Sequence, residues 1–152
     1  MNTEAGNIHA SEAIVETASA AMWANDHASQ QLGMTIEAVG PGHATLRMTI
    51  TESMTNGHGI AHGGFIFTLA DSAFAFACNS HGARTVAAQC SITYLRPGHL
   101  GDELVARARE ISRSGRNGIY DVSVSAGEHV IAEFRGHSRT IGGSWVEPDA
   151  AP

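Results

Sequence analysis

Residues 64–80 read GFIFTLADSAFAFACNS and contain the longest apolar run of the chain. Phenylalanine, leucine, isoleucine and alanine occupy most positions, glycine lies on both sides, and the run is longer than a typical strand. This pattern predicts a helix that is buried on nearly every face. Because a helix of about 17 residues is about 25 Å long, a twisted sheet of five or six strands is needed to enclose it.

Strand patterns surround this predicted helix in the sequence. Alternating or β-branched residues, separated by turns that contain glycine, occur over 34–39, 43–50, 85–95, 103–112, 118–126 and 129–141. After the helix, these segments follow one another at hairpin spacing, which predicts an antiparallel sheet. The expected fold class is α+β, with a curved antiparallel sheet wrapped around one hydrophobic helix.

The chain has 152 residues, which is the size of one compact domain. Residues 10–31 have a helical apolar period that ends before Gly33. We expect one domain over residues 10–143, with loose ends at 1–9 and 144–152. Cys78 and Cys90 are isolated among apolar neighbours and are interpreted as reduced thiols.

Charge excludes several classes of function. The net charge is −6, all nine basic residues are arginine, and the absence of lysine excludes a Schiff-base lysine and a Walker P-loop. The first thirty residues are acidic without any arginine, which is the wrong sign for a nucleic-acid arm or a targeting presequence. The apolar run 65–78 is too short for a membrane span and contains Asp71. We therefore expect a cytoplasmic protein with no nucleic-acid or membrane partner.

Asp71 is the residue that most strongly suggests chemistry. A carboxylate on an apolar helix costs several kcal/mol to desolvate unless it is paired or opens onto a polar cavity. Thr68 and Ser72 give its side of the helix a small polar stripe. The alternative is a structural aspartate that is paired with Arg84, Arg96 or a backbone donor.

A second candidate is His62-Gly63-Gly64, which leads directly into the helix. The first backbone N–H groups of a helix lack intrahelical acceptors and lie at the positive end of its dipole. Glycine lets a ligand oxygen approach such an N–H group, and this is how acyl-transfer sites polarise a carbonyl. The alternative is that the glycines only permit a tight turn.

Metal and nucleophile motifs are absent from the sequence. His58 and His62 are four residues apart, but the surrounding glycines disfavour a helix, and neither an H-E-x-x-H pattern nor a third ligand is present. The chain also lacks a G-x-S-x-G elbow and a dinucleotide-binding G-x-G-x-x-G. We expect no metal and no cofactor.

A third feature is a group of arginines in this acidic chain. Arg113 and Arg116 lie in a predicted hairpin tip, after Arg107 and Arg109, and Arg96 precedes them. Guanidinium groups on a flexible turn suit a ligand that carries phosphate. The alternative is a solvated turn.

Together these residues resemble the hotdog-fold thioesterases, most closely the phenylacetate-degradation (PaaI-type) acyl-CoA thioesterases. The similarity covers about residues 25–143. The most specific part of this similarity is the stretch 56–79, which contains an H-G-G motif with an acidic residue nine positions after the histidine. The other matching segments are 94–98, 101–102, 118–121, 134–136 and 141–143.

The resemblance implies a hotdog fold and hydrolysis of aryl-acetyl-CoA, such as phenylacetyl-CoA or hydroxyphenylacetyl-CoA. It implies that Asp71 is the catalytic carboxylate and that the N–H of Gly63 or Gly64 polarises the thioester carbonyl. It further implies that Asn56 and His62 position substrate or water, with Ser72 as a supporting donor. Two alternatives are a non-catalytic acyl-CoA sensor and, less well matched in its motif, a hydratase or dehydratase.

The spacing of Gly63 and Asp71 bears on assembly. Eight residues on one helix place their backbones about 12 Å apart along the axis, too far for both to contact one thioester. A complete site is therefore expected to combine Gly63 of one chain with Asp71 of another, which makes a symmetric homodimer the minimal catalytic unit. The family resemblance implies a homotetramer of two such dimers.

Overall fold

The computed structural model describes residues 3–146. In chain order, the elements are α1 (Thr3–Asn25), α2 (His27–Gln31), β1 (Thr35–Gly40), β2 (His43–Thr49), a short 3-10 helix (Glu52–Met54), α3 (Gly63–Asn79), β3 (Ala83–Tyr94), β4 (Glu103–Ser114), β5 (Asn117–Ala126) and β6 (His129–Ser144). No helix in this part of the chain has the length and apolar character needed to cross a membrane.

The strands form one sheet in the order β1-β2-β4-β5-β6-β3, and every neighbouring pair is antiparallel. Helix α3 contacts all six strands. Six strands at about 4.8 Å spacing make a flat sheet much wider than a helix of about 10 Å diameter, so these contacts require the sheet to curve around α3. The predicted α+β fold with an enclosed central helix is confirmed.

Packing around α3 explains one glycine in the middle of a strand. The ring of Phe74 lies between Tyr120 and Phe134, with ring centroids 5.6 Å and 5.8 Å apart. Gly136 on β6 lies directly against this ring, and a Cβ atom there would be 2.7 Å from it. The enclosure of α3 is therefore tight enough to exclude a single methyl group at this position.

The N-terminal helix differs from the sequence prediction. The predicted single helix over 10–31 is two helices, because the Asp26 side chain accepts a hydrogen bond from the Ser29 backbone N–H (3.0 Å) and starts α2. A side chain that caps a new helix competes with continuation of the old one.

The ends of the predicted domain also differ from the structure. Helical backbone begins at Thr3, within the segment predicted to be loose, and β6 extends to Ser144, one residue past the predicted boundary. Trp145 and Val146, which follow β6, also form hydrogen bonds, and residues 1–2 and 147–152 lie outside the described residues.

The C-terminal end of α3 is held by the buried side chain of Asn79. Its Oδ1 accepts hydrogen bonds from the Thr85 N–H (2.9 Å) and from Trp145 Nε1 (2.8 Å), while its Nδ2 donates to the carbonyls of Ala75 and Thr85. One amide thus joins α3, the start of β3 and the end of β6. Sequence analysis did not identify this contact, because Asn79 and Trp145 are distant in the chain.

We predict that Asn79→Ala lowers the free energy of unfolding by about 2–4 kcal/mol, because buried donors and acceptors lose their partners. Urea unfolding followed by circular dichroism measures this change. The matched control is Asn25→Ala at the exposed end of α1, for which we expect a change below about 0.5 kcal/mol. Equal stabilities of the two variants would contradict the assignment.

Candidate active site

Asp71 lies in the middle of α3 and is half-buried. No described residue donates a hydrogen bond to its carboxylate or forms an ion pair with it. The alternative partners Arg84 and Arg96 do not contact it, and Arg84 instead stacks on the ring of Trp145 at 4.1 Å. Burial, with a contribution from the charge of Asp26, raises the pKa of Asp71 above its usual value. This carboxylate therefore lacks the partners that would make it structural.

The N-terminal end of α3 is capped by the His62 side chain. His62 Nδ1 accepts a hydrogen bond from the Gly64 N–H at 2.9 Å, and the Phe65 N–H bonds to the His62 carbonyl. The Gly63 N–H donates to no described residue. The sequence offered two backbone N–H groups, those of Gly63 and Gly64, as donors to a substrate oxygen. The Gly63 N–H is free among the described residues, whereas the Gly64 N–H is bonded to His62, the predicted positioning residue.

Tyr94 covers Gly63 from strand β3. Its hydroxyl group donates a hydrogen bond to the Gly63 carbonyl (2.8 Å), and a Cβ atom on Gly63 would lie 2.9 Å from the Tyr94 ring. A larger residue at position 63 would therefore have to displace the Tyr94 ring. The sequence alone did not predict this contact, because Tyr94 and Gly63 are 31 residues apart in the chain.

A cavity of about 470 Å³ opens beside the free amide. It is lined by Gly63, Asn56, Ile66, Tyr94 and Arg96, among others, but not by Asp71. Asn56 Oδ1 accepts hydrogen bonds from two N–H groups of its own loop, while its Nδ2 has no described partner. Two unused donors, the Gly63 N–H and Asn56 Nδ2, therefore belong to residues that line one cavity.

Ser72 belongs to a chain of hydrogen bonds that leaves α3. Its Oγ lies 2.8 Å from Ser29 Oγ, and Ser29 Oγ donates to Asp26 Oδ2 at 2.7 Å. A hydroxyl group has one hydrogen, so Ser72 must be the donor in its contact with Ser29. The family resemblance implies that Ser72 is a supporting donor, and in this arrangement its hydrogen is given to Ser29.

The predicted arginines lie in two separate places. Arg96 lines the cavity at the N-terminal end of α3. Arg113 and Arg116 line a narrow space beside Cys78 and His81, at the C-terminal end of the helix. The three arginines share only their charge in the sequence. In the structure, Arg96 lies near the N-terminal end of α3, and Arg113 and Arg116 lie near its C-terminal end.

Glu110 partly neutralises one of the two hairpin arginines. Arg113 Nε lies 3.8 Å from Glu110 Oε1, which also contacts Tyr120 (2.7 Å) and His81 (2.8 Å). Burial opposes ionisation of Glu110, but these hydrogen bonds outweigh it and lower the pKa of Glu110 below its usual value. The guanidinium of Arg113 is therefore shared with an internal carboxylate.

Two other candidate chemistries find little support in the described residues. Cys78 is buried and Cys90 is half-buried, both are free, and burial raises the pKa of the Cys78 thiol to about 12. Cys78 is thus a neutral thiol at physiological pH. Among residues 11–146, whose side chains are described, no three histidine, cysteine or acidic side chains lie close enough together to hold a metal ion.

Comparison with known proteins identified relatives over most of the chain. The model of the Thioesterase superfamily matches residues 58–133. The acyl-coenzyme A thioesterase PaaI of Escherichia coli is 45% identical over 125 residues, 82% of this chain and 89% of the relative. The human acyl-coenzyme A thioesterase 13 is 32% identical over 114 residues, 72% of this chain and 80% of the relative.

Solved structures show the same similarity. The structure of PaaI from the phenylacetic acid degradation operon of E. coli matches with a TM-score of 0.85 at 42% identity, covering 86% of this chain and 96% of that protein. A Streptococcus mutans protein bound to acetyl CoA matches with a TM-score of 0.71 at 28% identity, covering 73% and 90% respectively.

We predict that Asp71→Asn stabilises the protein at neutral pH. Since the pKa of Asp71 is higher in the folded than in the unfolded state, folding favours its protonated form. Wild-type stability is therefore lost as the pH rises from the unfolded-state pKa through the folded-state pKa. The variant should match the wild type at low pH and exceed it above that window, as measured by urea unfolding between pH 4 and 8.

The matched control is Asp121→Asn, for which the opposite sign is expected. Two hydrogen bonds from Arg135 (2.6 Å and 2.8 Å) lower the pKa of Asp121. The ionised form of Asp121 therefore stabilises the fold, and this stabilisation is lost as the pH falls through the folded-state pKa. The interpretation of Asp71 fails if Asp71→Asn, like the control, is less stable than the wild type at pH 7.

Proposed function

The chain belongs to the thioesterase superfamily, and from this premise we propose that it hydrolyses acyl-coenzyme A thioesters to a free acid and coenzyme A. The proposed substrate is an aryl-acetyl thioester of the phenylacetyl-CoA or hydroxyphenylacetyl-CoA type, processed in cytoplasmic phenylacetate catabolism. The similarity to E. coli PaaI supports this assignment. The observation that carries it is Asp71, an unpaired, half-buried carboxylate on the helix whose N-terminus presents a free amide.

The donors beside the cavity are suited to activating a thioester. We assign the Gly63 N–H, at the positive end of the α3 dipole, to the carbonyl oxygen, with Asn56 Nδ2 as a second donor. Negative charge develops on that oxygen when a nucleophile adds to the carbonyl carbon. His62 holds the first turn of α3 through the Gly64 N–H and thereby fixes the direction of the Gly63 amide.

Asp71 supplies the basic group in this proposal. Its carboxylate either takes a proton from the attacking water or itself attacks the carbonyl carbon to form an anhydride that water then hydrolyses; in both cases the thiolate of coenzyme A leaves. A raised pKa makes Asp71 a stronger base than an exposed aspartate. A non-catalytic sensor on this fold would not need such a carboxylate, because binding alone gains nothing from leaving it unpaired.

We propose that a second chain completes the site. Gly63 and Asp71 are eight residues apart on α3, about 12 Å along the axis and about 80° around it, and Asp71 does not line the Gly63 cavity. A thioester held at Gly63 is thus within reach of Asp71 of the partner subunit rather than of the same chain. The homodimer has two equivalent sites, and two homodimers form the proposed tetramer.

The edge of strand β3 is the surface we assign to this dimer. The sheet ends at β1 and β3; β1 has six residues and contacts α1, whereas β3 has twelve residues, most of them exposed. Val86 and Tyr94 on β3 are 45% and 47% exposed. A long, partly apolar edge strand is an open template for pairing with another chain.

Two groups of arginines remain candidates for the phosphates of coenzyme A. Arg96 borders the Gly63 cavity and a neighbouring cavity of about 510 Å³. Arg113 and Arg116 lie at the opposite end of α3 and join the site only if the dimer brings the hairpin of one chain toward the cavity of the other. We assign phosphate contacts to these arginines on charge alone.

We predict that the wild-type protein releases coenzyme A from an acyl-CoA panel, measured with a thiol-detecting reagent, and that Asp71→Asn lowers kcat by about 10²–10⁴. The loss should accompany the gain in stability expected for the same substitution, which excludes misfolding as its cause. Single turnover in ¹⁸O-water separates the two mechanisms, because label enters the Asp71 carboxylate only through an anhydride. Normal turnover by Asp71→Asn would refute the assignment.

We predict that two inactive variants complement each other after subunit exchange. Gly63→Pro removes the N–H while keeping a residue favoured at the first helical position, and His62 already has the extended backbone (φ −64°, ψ 131°) that proline requires before it. Mixed with Asp71→Ala, it should restore about a quarter of wild-type activity, because half of the dimers are mixed and each has one intact site.

The control for this experiment is Gly63→Ala. It displaces the Tyr94 ring as Gly63→Pro does but keeps the N–H, so it should retain much more activity. Mass spectrometry verifies the exchange of subunits. A mixture that exchanges but stays inactive would contradict a site shared between chains.

A further inference from the structure

Asp26 lies at the junction of α1 and α2, next to the polar side of α3. Its carboxylate accepts two hydrogen bonds from Ser29, one from the backbone N–H (3.0 Å) and one from Oγ (2.7 Å). Ser29 is only 1% exposed, and its Oγ contacts Ser72 Oγ at 2.8 Å. Asp26 is thus two hydrogen bonds away from the residue that follows Asp71.

The direction of these hydrogen bonds is set by Asp26. An ionised carboxylate only accepts, so the single hydrogen of Ser29 points to Asp26 and the hydrogen of Ser72 points to Ser29. Each hydroxyl group is therefore held in one orientation. The chain fastens the Asp71–Ser72 segment of α3 to α2.

Three titratable groups near Asp71 lie on three different elements of the structure. Asp26 acts on it from the α1–α2 junction, while the thiols of Cys78 on α3 and Cys90 on β3 interact with it electrostatically. Burial raises the pKa of both thiols, so both are neutral at physiological pH. Among the described residues, Asp26 is the formal charge that acts on Asp71.

We propose that Asp26 is a positioning residue of the hydrolysis, which orients the Ser29–Ser72 hydrogen bonds that hold Asp71 in place and sets a second negative charge near it. This inference rests on the proposed function of Asp71. Its two components differ in mechanism: the hydrogen bonds act on the position of Asp71, and the charge acts on its basicity. Ser29→Ala removes the hydrogen bonds and keeps the charge. Asp26→Asn removes the charge and, because an NH2 group replaces one acceptor oxygen, also the fixed direction of the hydrogen bonds.

Asp26→Asn removes the charge and keeps a good helix N-cap, so α2 is retained. Ser29→Ala keeps the charge and the backbone cap but interrupts the hydrogen bonds to Ser72. Glu37→Gln is the charge-matched control, since Glu37 is an exposed carboxylate paired with Arg47 on the sheet. If Asp26→Asn does not fold, Asp26→Ser, which also caps helices, replaces it.

The first measurement is the pH profile of kcat/KM. Activity rises as the pH passes through the pKa of Asp71, because the ionised form reacts. Removing the neighbouring negative charge lowers that pKa, so the acid limb of Asp26→Asn should lie at lower pH than that of the wild type, with a plateau reduced a few-fold. Ser29→Ala should reduce kcat a few-fold without moving the limb, and Glu37→Gln should change neither.

The second measurement is the titration of Asp71 by carbon NMR of protein labelled at the aspartate carboxyl groups, with the resonance assigned by its absence in Asp71→Asn. The midpoint of the Asp71 titration should lie at lower pH in Asp26→Asn than in the wild type. It should be unchanged in Ser29→Ala. This readout needs no substrate, so failure of the wild type to hydrolyse any thioester would reject the proposed function alone. An unshifted titration in Asp26→Asn, or an unchanged kcat in Ser29→Ala, would overturn the role of Asp26.

Discussion

The enclosure of α3 by one curved sheet determines where polar chemistry can occur in this molecule. All six strands contact the helix, and the fit is close enough that a methyl group at Gly136 would overlap the Phe74 ring. Polar groups are consequently confined to the two ends of α3 and to the side that faces α1 and α2. His62 and Gly63 occupy one end, Asn79 the other, and Asp71 the open side.

Two carboxylates show how differently the fold treats acidic groups. Glu110 receives hydrogen bonds from Tyr120 and His81 and has a lowered pKa, so its charge is part of the structure. Asp71 receives none from the described residues and has a raised pKa. The same fold thus pairs Glu110 and leaves Asp71 unpaired, and an unpaired, half-buried carboxylate lowers the stability of the folded state. This cost is the physical reason to connect Asp71 with reactivity.

The sequence predicted the ends of α3 and of all six strands to within three residues, because apolar periodicity records which side chains face the core. It did not predict the break at Asp26, since a capping aspartate and a mid-helix aspartate look alike without their partners. Contacts between distant residues were also missed: Tyr94 on Gly63 and Trp145 on Asn79 join segments 31 and 66 residues apart. His62 stays a predicted positioning residue; its cap on the Gly64 N–H depends on the orientation of its ring, which sequence does not contain.

Helix α2 has only five residues, yet its Ser29 connects the N-terminal part of the chain to Ser72 on α3. Both α1 and α2 precede residues 58–133, the part of the chain that matches the family model. If Asp26 acts as proposed, exchange of the N-terminal segment would alter the acid–base environment of Asp71 without changing any residue of the matched segment. The pH range of the proposed reaction could then be adjusted by substitutions in a part of the chain that the family model does not match.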